Sequence, residues 1–265
     1  MISSLSETGH LTNGTERDRR PRNLSHFCTL SLTPTLRCAS ILPRTSDCRM
    51  TPCTAFAPIS MAARGYPVLL VNPRLAQRNM DELVRFARTH PGALTYASPG
   101  NGSTGHLTIE VLKEIAGVDL LHVPYKEETQ AMSDVIGGQV DMTVAFSAVS
   151  VGHVRSGRLR ALAIAGPKRN PLLPDVLASA EAGYPGIVVS GWIGFFAPSK
   201  TPAVILTRLE GAFSAAERSE DYATWISSMG SEAVAMPSAQ FVAEMHSDCD
   251  RWSQTAKRAH VALSR

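Results

Sequence analysis

A run of small polar residues near the middle of the chain carries the groups best suited to bind an anion. The run from Ser98 to His106 reads SPGNGSTGH and follows a short β-rich segment. Apolar residues recur beyond it at the spacing of an amphipathic helix, which predicts a strand, a loop and a helix in that order. Gly100, Gly102 and Gly105 permit backbone conformations with positive φ and a close approach to a ligand.

The start of this helix is predicted to be a carboxylate or phosphate site. Ser103 is a good N-cap residue, and the first N–H groups of a helix point back into the preceding loop. Together with the helix dipole and the hydroxyls of Ser103 and Thr104, these groups converge on one place. A plain βα turn with a capped helix and no ligand remains the alternative.

Further candidates lie beside the loop in the predicted sheet. Tyr125 and Lys126 end the next predicted strand, at the edge where open α/β sheets bind ligands. His106 is expected to pack or hydrogen-bond near the turn, or to donate to a bound anion. The predicted ligand-binding residues are Ser98, Gly100, Asn101, Gly102, Ser103, Thr104, His106, Tyr125 and Lys126.

The same glycines also allow a dinucleotide site. Gly100-x-Gly102-x-x-Gly105 matches the G-x-G-x-x-G pattern between a strand and a helix. The acidic residue expected about 20 positions later is missing, because the next strand ends in Lys126 and Asp119 lies at its other end. A lysine there suits the 2′-phosphate of NADP, so an NADP-dependent oxidoreductase is the alternative function.

Composition and motif spacing argue against several other classes. The formal net charge of +3 is too small to indicate nucleic-acid binding, and no apolar run approaches the length of a membrane span. Neither a G-x-S-x-G elbow nor a spaced catalytic triad is present, so no residue for nucleophilic catalysis is predicted. Four cysteines cluster early without the spacing of a zinc site, and no metal is predicted: Cys28, Cys38, Cys48 and Cys53.

The chain divides into a foreign-looking beginning and a regular α/β region. Residues 1–54 are rich in Ser, Thr, Pro and Arg without periodicity and are expected to be disordered. No signal peptide is visible in them. From Phe56 onward strands alternate with helices, which predicts a mostly parallel sheet.

Several blocks of sequence occur in an order that is typical of one family. The chain resembles the TctC-type, or Bug, solute-binding proteins of tripartite tricarboxylate transporters, from about Phe56 to its C-terminus. The blocks are Phe56-Ala57-Pro58-Ile59-Ser60, Val71-Asn72-Pro73, Tyr96 to Leu107, His122-Val123-Pro124-Tyr125-Lys126, Gly137-Gly138-Gln139-Val140, Gly157 to Ala163, Leu173-Pro174-Asp175-Val176, Glu181 to Gly186, and Trp192 to Pro198.

The resemblance implies a type II, two-lobed periplasmic-binding-protein-like α/β fold with an incomplete first lobe. Residues 55–73 plus 191–265 would form the remnant of lobe 1, and residues 74–190 would form lobe 2, which carries the ligand turn. It also implies a periplasmic, monomeric receptor that binds a small carboxylate solute and delivers it to the membrane permease subunits. The resemblance implies a receptor and not an enzyme, so no catalytic residue and no cofactor are expected.

Three departures from the family pattern bear on binding. Residues 1–54 match none of the family's first strand and glycine-rich loop, so we expect a fragmentary or mis-started member that binds poorly, or a remnant that does not bind. Ala145 replaces an aspartate that many members carry. Glu127 replaces the glycine that usually follows Tyr-Lys and places a negative charge beside the site, which disfavours highly charged anions.

Overall fold

The computed structural model describes residues 56–259 together with the backbone of one earlier strand. In chain order the elements are β1 (Cys28–Leu32), β2 (Phe56–Gly65), β3 (Pro67–Val71), α1 (Met80–Thr89), β4 (Thr95–Ser98), α2 (Thr104–Ala116), β5 (Leu121–Pro124), α3 (Glu128–Gly137), β6 (Met142–Phe146), α4 (Ser147–Arg155), β7 (Arg160–Ile164), β8 (Gly191–Pro198), α5 (Ala203–Glu217), α6 (Glu220–Ser228), β9 (Glu232–Pro237) and α7 (Ser238–Arg258).

The strands form two sheets, one for each lobe. The first has the order β1-β8-β2-β9, and all its pairs are antiparallel. The second has the order β5-β4-β6-β3-β7. In it, β4 runs parallel to β5 and β6, whereas β3 runs antiparallel to β6 and β7.

The prediction of a mostly parallel sheet is confirmed for four of the five strands of the second sheet, and β3 is the exception. A parallel connection needs a crossover, usually a helix. Strand β3 instead follows β2 after the single residue Tyr66, and no helix reverses the chain between them. It consequently enters the second sheet against the direction of its neighbours.

The division of the chain between the lobes also differs from the expected one. Residues up to 73 were assigned to lobe 1, but β3 pairs only within the second sheet. Strand β1 lies inside the segment expected to be disordered, yet it pairs with β8 from Cys28 to Leu32. The rest of that prediction concerns residues outside the described part of the chain.

Each lobe has its own apolar core, and helix α7 contributes to both. Phe241 and Met245, near its start, pack with Trp192 and Phe196 of the first sheet. Trp252, near its end, joins the core of the second lobe, which is centred on residues such as Tyr96, Leu107 and Ile109. Among the described helices, none is long and apolar enough to cross a membrane.

Candidate functional site

The predicted strand, loop and helix are present around residues 98–106. Strand β4 ends at the buried Ser98, and helix α2 starts at Thr104. Ser103 is the N-cap as predicted, because its Oγ accepts a hydrogen bond of 3.3 Å from the N–H of His106. Gly100 and Gly102 have φ values of 106° and 73°, in the region that favours glycine.

Not every amide of this loop is available to a ligand. The Gly102 N–H donates to His106 Nδ1 at 3.0 Å, and the Ser103 N–H donates to the Gly100 carbonyl at 3.2 Å. The amides of Asn101, Thr104 and Gly105 donate to no group within the described chain. An anion at this helix start would therefore meet three main-chain donors and the positive end of the helix dipole.

The side chain of Thr104 adds an unusual feature to the loop. Thr104 is 7% exposed, and its Oγ1 is buried without a hydrogen-bond partner in the described part of the protein. A buried hydroxyl without a partner costs free energy, and nearly all such groups in proteins are satisfied by protein, water or ligand. The orphaned hydroxyl thus lies beside unpartnered amides at the first residue of the helix.

His106 supports the loop from inside the lobe. It is 6% exposed, and its Nδ1 accepts from Gly102, so its neutral ring carries the proton on Nε2. The ring stacks on His122 with a centroid distance of 4.0 Å, and His122 stacks in turn on Tyr96 at 4.7 Å. His106 therefore packs and hydrogen-bonds beside the turn, which is the first of the two roles expected for it.

Ser98 contacts the ring stack that His106, His122 and Tyr96 form. Its Oγ lies 2.6 Å from His122 Nε2 and 3.2 Å from the Gly100 carbonyl oxygen. Ser98 is fully buried, so its hydroxyl positions the loop and is already engaged by protein groups. Its contribution to a ligand site is to hold Gly100 in place.

A buried charged group lies behind the stack. Glu110 is 9% exposed, and its Oε1 accepts from the Tyr96 hydroxyl at 2.7 Å and from Lys113 Nζ at 3.0 Å. Burial and the hydrogen bond to Glu110 raise the pKa of Tyr96. Burial lowers the pKa of His106 and lowers that of His122 to about 4, with the neighbouring His106 adding to the effect on His122.

These histidine shifts predict that the second lobe is destabilised by acid. Because both rings are held neutral in the folded state, the unfolded chain binds more protons between about pH 6.5 and pH 4. Stability should be complete above about pH 7 and decrease as the pH falls to 4. A tenfold change in proton affinity is worth about 1.4 kcal/mol, so His122 contributes at most about 3 kcal/mol to this loss. Urea unfolding at a series of pH values measures it.

A matched pair of variants assigns the pH dependence to the stack. His122→Gln should remove most of it, whereas the exposed His90→Gln should leave it unchanged. A His122→Gln protein with the same stability loss between pH 7 and pH 4 as the parent would contradict the assignment.

The structure brings Tyr125 to the loop and leaves Lys126 at the surface. The Tyr125 N–H donates to the Ser98 carbonyl at 2.8 Å, and a Cβ at Gly100 would lie 3.7 Å from the Tyr125 carbonyl oxygen. The Tyr125 hydroxyl donates to Asp134 at 2.8 Å, so it has a partner within the protein. Lys126 and Glu127 follow and are both exposed.

Comparison with known proteins places this chain in a defined family. Residues 34–260 match the model of the tripartite tricarboxylate transporter family receptor, TctC. The chain belongs to this family. The TctC match begins at residue 34, before the predicted start at Phe56, so part of the segment expected to be unmatched lies in the family region.

Curated relatives are about a third identical to this chain over the aligned residues. A UPF0065 protein from the tcbD-tcbE intergenic region of Pseudomonas sp. strain P51 is 34% identical over 200 residues, covering 75% of this chain and 60% of the relative. BugT of Bordetella pertussis is 30% identical, covering 78% of this chain and 63% of BugT. The chain thus spans about 60% of the length of such relatives.

Solved TctC-like structures confirm the two-lobed fold. R. palustris Rpa4515 with adipate is 31% identical with a TM-score of 0.74, covering 81% of this chain and 73% of that protein. MatC from Rhodopseudomonas palustris, with bound malate, is 25% identical with a TM-score of 0.70, covering 84% of this chain and 75% of MatC. The family consists of receptors, and the comparisons give no support to the oxidoreductase alternative.

The sequence did not reveal that His122 supports this site by stacking between Tyr96 and His106. It assigned His122 to a buried strand and gave it no role. The register of β4 and β5 pairs Tyr96 with His122, which places the histidine between Tyr96 and His106. The sequence indicated that β4 and β5 are parallel neighbours. Which residue of β4 pairs with which residue of β5 is decided by the tertiary structure.

Proposed function

We propose that this chain is an extracytoplasmic receptor that binds a small carboxylate-bearing solute at the start of helix α2. It acts as a monomer in the periplasm and delivers the solute to the membrane permease of a tripartite tricarboxylate-type transporter. The proposed ligand donors are the amides of Asn101, Thr104 and Gly105 together with the Thr104 hydroxyl, and the other predicted residues position the loop or lie beside it. Membership of the receptor family and the adipate and malate of the two solved neighbours support this function.

One observation carries the proposal. Three main-chain N–H groups and one buried hydroxyl without partners in the described chain lie together at the N-terminus of a helix of 13 residues. Hydrogen bonds from such donors to a charged carboxylate are worth about 1.5–3 kcal/mol each. A carboxylate would satisfy these donors without any covalent step.

The Thr104 hydroxyl provides the sharpest test. In Thr104→Val a methyl group replaces the hydroxyl at nearly equal volume, so one ligand donor is lost. We expect adipate or malate to bind about tenfold more weakly, equivalent to about 1.4 kcal/mol. The ligand-free protein should be as stable as the parent or more stable, because the buried hydroxyl has no partner there. Isothermal titration calorimetry and urea unfolding measure the two effects.

Thr108→Val is the matched control, one helical turn further along. Thr108 is 2% exposed, but its Oγ1 donates to the Thr104 carbonyl at 2.7 Å. Its loss should lower stability by about 1 kcal/mol and leave the affinity unchanged. Equal affinities of Thr104→Val and the parent, or a parent that binds no carboxylate, would contradict the proposed function; the second outcome would favour a non-binding remnant.

A further inference from the structure

An apolar cavity lies where the two lobes meet. Its volume is about 200 Å³. Strands β2 and β8 of the first sheet supply one wall, including Trp192 and Ile193, and the junction of β6 and α4 supplies the other through Phe146 and Ala148. Met229 closes one side. None of these five side chains carries a charge, so the cavity is suited to a hydrocarbon group.

The ring of Phe146 occupies space that is open because Gly191, opposite it, has no side chain. A Cβ on Gly191 would lie 2.4 Å from Cζ of Phe146, a distance that real atoms do not reach. The ring therefore packs directly on the Gly191 backbone and forms a rigid aromatic wall. A bound aromatic ring would gain an edge-to-face or offset contact with it in addition to the burial of apolar surface.

Two polar side chains also line the cavity, those of Arg64 and Ser231. The Nη2 of Arg64 forms an ion pair with Glu244 and contacts Met61 Sδ. The Nε of Arg64 is buried and has no hydrogen-bond partner in the described part of the chain. The cavity is therefore apolar on most of its walls and has one polar side at Arg64.

The cavity and the loop at the start of α2 lie at the same edge of the second sheet. Strands β4 and β6 are parallel neighbours, with Ala97 paired with Thr143, so the chain leaves both strands at that edge. A Cβ on Gly105 would lie 3.2 Å from the carbonyl oxygen of Val144, two residues before the end of β6, which shows how closely α2 packs on this strand. Neighbouring strands are about 4.8 Å apart, within the length of a small aromatic acid.

We infer that the solute is an aromatic carboxylate, with its carboxylate at the start of α2 and its ring in the cavity between Phe146, Trp192 and Ile193. This inference rests on the proposed function. A cavity of about 150 Å³ lined by apolar side chains is known to hold benzene, so a volume of about 200 Å³ holds one substituted ring. The exposed Glu127 beside Lys126 disfavours highly charged anions.

Phenylacetate and acetate form the matched pair of ligands for the test, because they differ only by the ring. We expect the parent to bind phenylacetate at least about tenfold more tightly than acetate, from the apolar surface that the ring buries. Ala148→Phe should weaken phenylacetate binding about tenfold by filling the cavity, and it should leave acetate binding unchanged. Isothermal titration calorimetry measures both affinities, and thermal unfolding checks that each variant is folded.

Val149→Phe is the control for the cavity variant. Ala148 and Val149 are adjacent and both exposed, but Val149 does not line the cavity, so its variant should bind both ligands like the parent. Equal binding of acetate and phenylacetate, or an unchanged affinity of Ala148→Phe for phenylacetate, would overturn the inference. If Thr104→Val still weakens carboxylate binding in that case, the proposed function stands. A parent that binds neither acid overturns both.

Discussion

Gly105→Val is expected to abolish solute binding and to lower the free energy of unfolding by about 2–3 kcal/mol. A Cβ at this position would lie 3.2 Å from the Val144 carbonyl oxygen and 3.7 Å from both Pro99 Cδ and Ser98 Cβ. These neighbours are a backbone atom of β6, the last residue of β4 and the first residue of the loop, so they have little freedom to move. The two further methyl groups of valine must therefore push the start of helix α2 away from the sheet.

That displacement moves the main-chain N–H donors at the start of α2 away from the place where the carboxylate binds. The amides of Thr104 and Gly105 would no longer face the anion, and each hydrogen bond to a carboxylate contributes about 1.5–3 kcal/mol. Loss of two such bonds corresponds to an affinity decrease of at least about a hundredfold. Calorimetric titration with a carboxylate and urea unfolding of the same samples test the two parts of this prediction.

Gly152→Val is the control for the cost of a valine at a helical glycine. No atom lies within 4 Å of the position that a Cβ would take at Gly152 in helix α4. The free energy of unfolding should change by less than about 0.5 kcal/mol, because valine and glycine differ little in helix propensity. Similar stability losses for both variants, or wild-type affinity of Gly105→Val, would show that close packing of α2 on β6 does not position the site.

Phe241→Ala should cost the first lobe about 3–5 kcal/mol of stability. Phe241 is fully buried, makes an edge-to-face contact with Trp192 at 4.8 Å and packs against Phe196 at 5.4 Å. A Cβ at Gly194 would lie 2.5 Å from its ring, so the ring fills the space over the sheet completely. Its removal leaves a cavity that the small core of this lobe has few residues to close.

The loss should be confined to one lobe. The second lobe has its own buried clusters, and Phe241 does not belong to them. In a background with Trp225→Phe and Trp252→Phe, Trp192 is the single tryptophan, and urea unfolding followed by its fluorescence should shift to lower urea more than the far-ultraviolet circular dichroism does. Phe213→Ala is the control: Phe213 is half-buried and stacks on Phe195, so about 1 kcal/mol should be lost. Coincident shifts of both signals would contradict a separate first lobe.

Much of the site followed from local sequence. The strand β4, the N-cap at Ser103 and the helix through Leu107 depend on residues that are neighbours in the chain, and each lies where the pattern predicted. Positive φ at Gly100 and Gly102 follows in the same way, because a residue without Cβ pays no steric cost there. The order of the family blocks likewise indicated the two-lobed fold that the solved neighbours share.

Other features depend on contacts between distant residues, and the sequence did not determine them. The antiparallel entry of β3 into the second sheet depends on pairing with β6 and β7, far along the chain. The partners of Ser98 and His106 inside the lobe depend on the register between β4 and β5. The cavity between the lobes needs walls from both sheets, and no single segment of sequence contains them.

The sequence alone determined the donors of this protein: a capped helix start with glycines that expose its amides, because capping and backbone freedom are local properties. Only the tertiary structure decided which of those donors remain available, since His106 and the Gly100 carbonyl occupy two of them once the loop has folded. It also decided what lies next to the donors, because the walls of the apolar cavity come from both lobes and meet only in the folded chain.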